Sequence, residues 1–174
     1  MEKIFTTQLI GKLKKIEQEE QDAVEDGARL LSQALVGDGN VYIYAQQEMT
    51  GIFHVAAFGE EPLQRVKSLS NETIDEISSS DRGILFSKTA DDEQLLHIAR
   101  ILRKKHVPFA VVCSTHEKEH EIEDLADVLI NLHIDQGLVP TFDGKRVGYP
   151  HTIAALFVYH HMKLLIDEML EDYE

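Results

Sequence analysis

Short runs of apolar and β-branched residues alternate with amphipathic helical stretches through the middle of the chain, and this alternation constrains the fold most. Strand-like runs cover residues 41–45, 83–86, 108–113 and 127–132, with a weaker run at 62–69. A strand is apolar at every position only when both faces of its sheet are buried, and helices that connect parallel strands provide that cover. The sequence therefore predicts a three-layer α/β/α sandwich around a five-stranded parallel sheet, with ligands bound at the carboxyl ends of the strands.

Apolar residues also recur at helical spacing at both ends of the chain and between the strands. The spacing predicts one long helix or two joined ones over residues 3–36, where Gly27 indicates either close packing or a break. Further helices are predicted at 50–58, 91–105, 117–126 and 150–169, with a short one starting from the capping-box pair Thr73 and Glu76.

The length of 174 residues fits one domain. We expect a helical N-terminal segment at 1–36, a sheet core at 40–134 and a C-terminal helix at 150–172. The last helix has a broad apolar surface, which favours burial on more than one side, including against a second subunit.

The balance of charge excludes several kinds of partner. The chain has 17 basic and 31 acidic residues, a net charge of −14, whereas nucleic acids and anionic bilayers are usually bound by a net basic surface. Its apolar runs fall far short of the ~20 residues needed to span a bilayer. Cys113 is the single cysteine, and the first residues include no apolar leader, so we expect a cytoplasmic protein that captures any anionic ligand locally.

Three features together suggest a family. A helical preamble precedes the turn Gly37-Asp38-Gly39 into Val-Tyr-Ile-Tyr, and a later Phe86-Ser87-Lys88-Thr89 loop opens a helix. The chain resembles the sugar isomerase (SIS) domain, the fold of phosphoheptose isomerases and of sugar-phosphate-binding regulators. Over its whole length it resembles, more closely, a bacterial family with that fold. The resemblance implies a homodimer or homotetramer and a phosphorylated sugar bound in loops after the first and third strands.

Both of these loops depart from the SIS pattern. The first loop typically reads Gly-x-Gly-x-Ser, but residues 45–50 here contain no glycine and include a carboxylate, Glu48. The second retains Ser87, Lys88 and Thr89, which suit a phosphate at a helix N-terminus. Acidic residues at 91–93 occupy the same helix end and repel an anion. Phosphate binding and a simple, well-capped surface helix therefore both remain open.

The candidate site residues follow from these loops and from the start of the last helix. Glu48 is the candidate general base, with His151 or Lys88 as its partner. Ser114 and Thr115 are either ligand contacts or the N-cap of the next helix. Arg146 either supplies positive charge or pairs with acidic neighbours, and His151 either joins the site or caps its helix. The substrate-binding candidates are Gln46, Gln47, Thr50, Ser87, Lys88, Thr89, Ser114, Thr115 and Arg146.

The resemblance does not carry a metal across to this chain. The resemblance to phosphoheptose isomerases implies a zinc site in that family. Its ligands are a His and a Glu one turn apart on the helix after the first strand, and a second pair on the final helix. His54 falls near the first position, but the residue one turn on is Phe58 and not Glu, and the second pair falls on Thr152 and Ala155. We therefore expect no metal and no other cofactor.

A second metal-like pattern lies at residues 116–120, His-Glu-Lys-Glu-His. It fits the zincin motif, in which two histidines share one helix face. Acidic residues follow it where a zincin helix is apolar, so a charged helix start with adventitious metal binding is the favoured interpretation.

Two functions remain. The first is a sugar-phosphate-binding protein of the phosphoheptose isomerase type with altered site motifs. The alternative is a non-catalytic dimeric regulatory or interaction protein whose pocket is filled by its own side chains.

Overall fold

The computed structural model describes residues 1–116 and 118–173. Its main sheet has five parallel strands in the order β2-β1-β3-β4-β5. This arrangement confirms the predicted α/β class and the five-stranded parallel sheet. The strands are β1 (Val41–Ala45), β2 (Val66–Ser68), β3 (Arg82–Thr89), β4 (Phe109–Ser114) and β5 (Val128–Asn131).

Helices flank this sheet, and a small hairpin precedes the last of them. The helices are α1 (Glu2–Glu19), α2 (Gln21–Val36), α3 (Thr50–Phe58), α4 (Glu93–Lys104), α5 (Glu121–Leu125) and α6 (His151–Glu171). A 3-10 turn, Gln47–Met49, joins β1 to α3. The hairpin consists of β6 (Val139–Pro140) and β7 (Arg146–Val147), which the sequence did not predict. Among the described residues, no helix combines the length and apolar character that crossing a membrane requires.

Side chains that alternate along each strand enter two separate cores, one on each face of the sheet. Ile43, Ile84 and Val112 pack with α2, α3 and α6. Tyr42, Leu85 and Val111 pack on the opposite face, against α4 and α5. Because successive strand residues point to opposite faces, two buried faces require an apolar residue at every position.

Gly27 lies in the interior of α2, where the chain packs closely. A Cβ atom built at this position comes 2.8 Å from Met162 Cε and 3.5 Å from Ile130 Cδ1. The break between α1 and α2 falls instead at Glu20. Of the two explanations that the sequence left open for Gly27, close packing is therefore the correct one.

Three local predictions were wrong. Thr73 lies within a series of turns at 71–76 and does not start a helix. Its hydroxyl accepts from the Ser70 amide at 2.9 Å and donates to the Ser68 carbonyl at 2.9 Å. Helix α5 begins at Glu121 and not at 117, a residue outside the described part. The predicted loop 86–89 belongs to β3, whose ladder with β4 shifts register and continues to Thr89.

Candidate functional site

The strand order places a topological switch point between β1 and β3. From β1 the chain moves to β2 on one side and then returns to β3 on the other. In open parallel sheets, ligands bind in the crevice outside the carboxyl ends of the strands at such a point. Here the turn Gln47–Met49 leaves β1, and Lys88 is the penultimate residue of β3.

Glu48 and Lys88 form an ion pair across this switch point. The Lys88 Nζ atom lies 2.5 Å from Glu48 Oε1, and the two side chains are 40% and 51% exposed. The hydrogen bond from Lys88, together with one from the Glu48 backbone amide, holds the pKa of the Glu48 carboxyl below its usual range. Lys88, one of the candidate ligand contacts, is therefore paired with a carboxylate.

His151, the first residue of α6, completes this cluster. Its side chain is buried, and within the described residues its Nδ1 atom has no hydrogen-bond partner. Burial and then the charge of Lys88 lower the pKa of His151, while the Ile134 backbone and Glu48 oppose them. The lowered pKa keeps this imidazole neutral at neutral pH, and α6 packs against the turn that holds Glu48.

Tyr149 is a neighbour of His151 that the sequence did not reveal. The two rings stack with centroids 6.2 Å apart and an interplanar angle of 13°, and the Tyr149 side chain is largely exposed. The contact depends on the path of the chain just before α6. No periodic pattern in the sequence indicates that these two side chains face each other.

The other residues of the first loop are held by local contacts. Gln46 Nε2 donates to Asp92 Oδ1 at 2.7 Å, and the same oxygen caps α4 by accepting from the Leu95 amide at 2.8 Å. The Gln47 backbone has a φ of 54°, and its carbonyl accepts from the Thr50 hydroxyl at 2.9 Å. These contacts fix the loop next to the start of α4.

The serine and threonine candidates mostly make contacts within the protein. The Ser87 hydroxyl is buried and donates to the Thr89 carbonyl at 3.1 Å. The buried Ser114 hydroxyl accepts from the Ile134 amide at 3.2 Å. Ser114 and Thr115 do not cap the next helix, because the N-cap of α5 is His120; that part of the expectation was wrong.

Arg146 is held within the β6–β7 hairpin. Its guanidinium donates to the carbonyls of Gly137 at 2.6 Å and Leu138 at 3.2 Å. The neighbouring Lys145 pairs with Asp143 at 3.1 Å. The candidates that the structure brings together are thus Glu48, Lys88 and His151, with Gln46 tied to the adjacent helix start.

The acidic start of α4 already has its own partners. Asp91 contacts His120 Nδ1 at 2.8 Å and Lys118 Nζ at 3.0 Å, and these hydrogen bonds, that of His120 first, lower the pKa of Asp91. Asp92 caps the helix. This end of α4 therefore has the features of a well-capped helix, one of the two alternatives from the sequence.

In the part of the chain that the structure describes, neither histidine pattern of the sequence has the geometry of a metal site. His54 Nδ1 lies 3.0 Å from the Thr50 carbonyl, and the His54 ring packs against Phe58. His116 and His120 lie outside a helix, and His120 Nε2 accepts from the His116 amide at 3.1 Å. Glu117 of that motif is outside the described residues. Within the described ranges, no group of three or more His, Cys, Asp or Glu residues is placed to hold a metal.

Sequence comparison assigns the chain to a family. A family model described as a domain of unknown function (DUF2529) matches residues 1–170. The chain belongs to this family. It is also similar to the uncharacterized protein YwjG of Bacillus subtilis (strain 168), with 36% identity over 173 residues that cover 99% of each chain.

Comparison with solved structures places the DUF2529 chain in the SIS fold. The NanR protein of Vibrio vulnificus, complexed with ManNAc-6P, matches with a TM-score of 0.69 and 10% identity over 98% of this chain. The match spans 62% of the length of that protein. A phosphoheptose isomerase from Neisseria gonorrhoeae matches with a TM-score of 0.62 and 13% identity, over 92% of this chain and 94% of the other. At these identities the similarity shows the fold alone.

Proposed function

We propose that this DUF2529 protein binds a phosphorylated sugar at the carboxyl edge of its sheet, between β1 and β3. One observation carries this assignment: the Glu48–Lys88 ion pair joins the turn after β1 to the end of β3 at the switch point, and α6, which begins at His151, packs against the same turn. Solved proteins of the same fold include one complexed with ManNAc-6P and a phosphoheptose isomerase, which supports the ligand class.

Lys88 is the phosphate contact in this assignment. A chain with a net charge of −14 repels a dianion at long range, so binding depends on a local cation. The phosphate competes with the Glu48 carboxylate for Lys88. Because the ion pair is about half exposed, breaking it costs little, and charge-assisted bonds to the phosphate replace it.

His151 supplies the contact to the sugar. A neutral imidazole has one donor and one acceptor nitrogen, and the buried Nδ1 atom has no partner within the described chain. Because this atom is closed to solvent, a sugar hydroxyl reaches it only when the His151 side chain turns toward the crevice, and the new bond then removes the cost of an unpaired buried polar atom.

Displacement of Lys88 also gives the cluster the chemistry of an aldose–ketose isomerase. Without its hydrogen bond from Lys88, the pKa of Glu48 returns toward the usual range and the carboxylate becomes a stronger base. Glu48 then removes the proton from the carbon beside the carbonyl and returns it to the former carbonyl carbon. His151 donates a proton to the carbonyl oxygen and takes the proton of the neighbouring hydroxyl, so the carbonyl moves to the adjacent carbon without a cofactor.

The second candidate function is that of a non-catalytic regulatory or interaction protein. The observation in its favour is that polar groups at this edge already satisfy one another. Glu48 pairs with Lys88, Gln46 with Asp92, and Asp91 with His120. Three such contacts make a self-contained polar surface that needs no ligand.

A thermal-shift screen tests ligand binding. The protein is heated with ManNAc-6P and a panel of hexose, pentose and heptose phosphates, each beside the same sugar without phosphate. A ligand at 100 times its dissociation constant adds about 2.7 kcal/mol to the free energy of unfolding. We expect a shift that requires the phosphate. Absence of a shift with every phosphosugar contradicts the proposal, and binding without isomerisation favours the regulatory function.

We also propose that the protein self-associates through α1 and α6. Helix α1 buries only Ile16 among its 18 residues, although helices in proteins depend on packing for their stability. Leu164 on α6 is 59% exposed and borders a groove of about 370 Å³, which Ile16 and Phe157 also line. A second copy of the chain covers these surfaces.

A further inference from the structure

A second polar cavity lies outside the carboxyl ends of β4 and β5. Its volume is about 580 Å³, and no member of the Glu48–Lys88–His151 cluster lines it. Helix α1 closes it on one side through a lysine. The lining residues are Lys15, Thr115, His116, Asn131, His133 and Asp135.

Asn131, the last residue of β5, has a fixed orientation in this cavity. Its side-chain oxygen accepts from the Thr115 amide at 3.1 Å and from the His133 amide at 2.9 Å. Because both backbone amides donate to the same side-chain atom, that atom is the oxygen and the other is the nitrogen. The Asn131 Nδ2 group is therefore a donor of two hydrogens held at the cavity wall.

Both histidines of the cavity lie beside carboxylates. His133 Nε2 lies 2.7 Å from Glu20 Oε1, and His116 Nδ1 lies 3.6 Å from Asp135 Oδ1. The His133 backbone has a φ of 54°, and its carbonyl accepts from Lys12. These contacts fix the loop after β5 against the N-terminal helices and hold the wall of the cavity in place.

Lys15 places a positive charge at the opening. Its Nζ atom lies 4.0 Å from the Glu19 carboxylate, at the limit of an ion pair, and its side chain is 46% exposed. The Lys15 ammonium, the Asn131 amide and the Thr115 hydroxyl are donors that complement an oxyanion. The lining also includes one carboxylate, that of Asp135, which opposes the charge of Lys15 and lies 3.6 Å from His116 Nδ1.

We propose that this cavity is a second small-molecule site, which takes the phosphate or carboxylate group of a small metabolite. Lys15 Nζ, Asn131 Nδ2 and Thr115 Oγ1 hold the oxyanion, and His116 lies beside it. The site is separate from the cluster at β1 and β3, and its occupancy does not depend on a ligand there.

NMR titration of the 15N-labelled protein with inorganic phosphate, and separately with citrate, tests this site and distinguishes the two oxyanions. We expect saturable shifts of the Thr115, Asn131 and His133 amides. Asn131→Asp keeps an oxygen acceptor for both backbone amides but removes the Nδ2 donor and adds a negative charge. It should weaken binding by at least about tenfold, as should Lys15→Met, since hydrogen bonds to charged groups contribute about 1.5–3 kcal/mol.

Lys14→Met is the matched control, because Lys14 is an exposed neighbour on α1 that does not line the cavity. It should leave the affinity measured at the Thr115, Asn131 and His133 amides unchanged. Lys88→Met, which alters the other proposed site, should also leave the affinity measured at these three amides unchanged. If Lys14→Met weakened anion binding as much as Lys15→Met, the effect would come from the charge of the whole chain, and the assignment of this site would be overturned. Loss of binding at these amides in Lys88→Met would contradict the claim that the second site is separate from the cluster at β1 and β3. Absence of saturable shifts with both anions, in a protein whose spectrum shows it folded, would overturn the site as a whole.

Discussion

The Lys88 ammonium lies 2.5 Å from the Glu48 carboxylate and joins the end of β3 to the turn that follows β1. The pair spans the switch point of the sheet, the place where this architecture collects ligands. Ligand capture and internal pairing therefore compete for the same cation. A substitution that removes the internal partner separates the two effects.

Glu48→Gln should strengthen the binding of a phosphosugar. The substitution keeps the shape of the side chain but removes the charge that competes for Lys88. The phosphate then binds the ammonium without first breaking an ion pair. Because the pair is exposed, the gain is small, about two- to fivefold in dissociation constant. Isothermal titration measures it, and any isomerase activity should be lost in the same variant because the base is gone.

Glu60→Gln is a suitable control, since Glu60 is exposed and lies beyond α3. It removes one negative charge from the same chain. Equal strengthening in both variants would attribute the gain to net charge and contradict the role of Glu48.

His151 should make the protein less stable in mild acid. Burial and the charge of Lys88 lower its pKa in the folded state from 6.5. Below pH 6.5 the unfolded chain therefore takes up a proton that the folded chain resists, and the free energy of unfolding falls as the pH falls. The slope from this single group is at most about 1.4 kcal/mol per pH unit.

Urea unfolding at several pH values, with wild type and His151→Asn compared, measures this contribution. The difference between the two proteins should be constant above pH 6.5 and should change below it, because only the wild type loses stability through this group. Glu48 loses its contribution in a separate window, below the usual carboxyl pKa of 4.5. A difference that stays constant from pH 7.5 to 5 would contradict the environment described for His151.

Gly27→Val should destabilise the fold by about 1–3 kcal/mol, the usual cost of overpacking a core. The first added carbon meets Met162 Cε at 2.8 Å, and a branched side chain must also avoid Ile130. The midpoint of urea unfolding should fall. Gly11→Val provides the control, because a Cβ at Gly11 on the exposed side of α1 meets nothing within 4 Å. Equal midpoints for the two variants would contradict close packing at Gly27.

Leu164→Glu should dissociate the proposed dimer. A carboxylate on the exposed apolar face of α6 carries a desolvation cost at any interface formed there. Light scattering after gel filtration should give a monomer mass for this variant and a multiple of it for the wild type. Phe142→Glu introduces the same charge at an exposed apolar residue of the hairpin and should not change the mass. A monomeric wild type would contradict self-association through α6.

The sequence predicted the fold well wherever burial on two faces controls the pattern. Strand β1 was predicted at residues 41–45 because a turn precedes its apolar run and polar residues follow it. Strand β3 was predicted too short, because Ser87, Lys88 and Thr89 are polar residues typical of a loop. Pairing with β4 extends the strand through them, and the burial of Ser87 depends on that tertiary contact.

The candidate site was predictable to a lesser degree. The resemblance to the SIS domain implied a ligand held by the loops after the first and third strands, but no feature of the sequence placed Glu48 within reach of Lys88, which the structure pairs. The pairing itself depends on side-chain conformations that no sequence pattern encodes. The second cavity was missed for the same reason, since Lys15 and Asn131 both line it but lie more than 100 residues apart in the chain.

The most direct test of the Glu48–Lys88–His151 site is an NMR titration of the labelled protein with the phosphosugar that gives the largest thermal shift. Amides of residues 46–50, Lys88 and His151 should shift together. Lys88→Met should abolish these shifts, whereas Lys104→Met, an exposed lysine at the far end of α4, should preserve them. Shifts confined to other parts of the chain, or unchanged binding in Lys88→Met, would contradict the assignment.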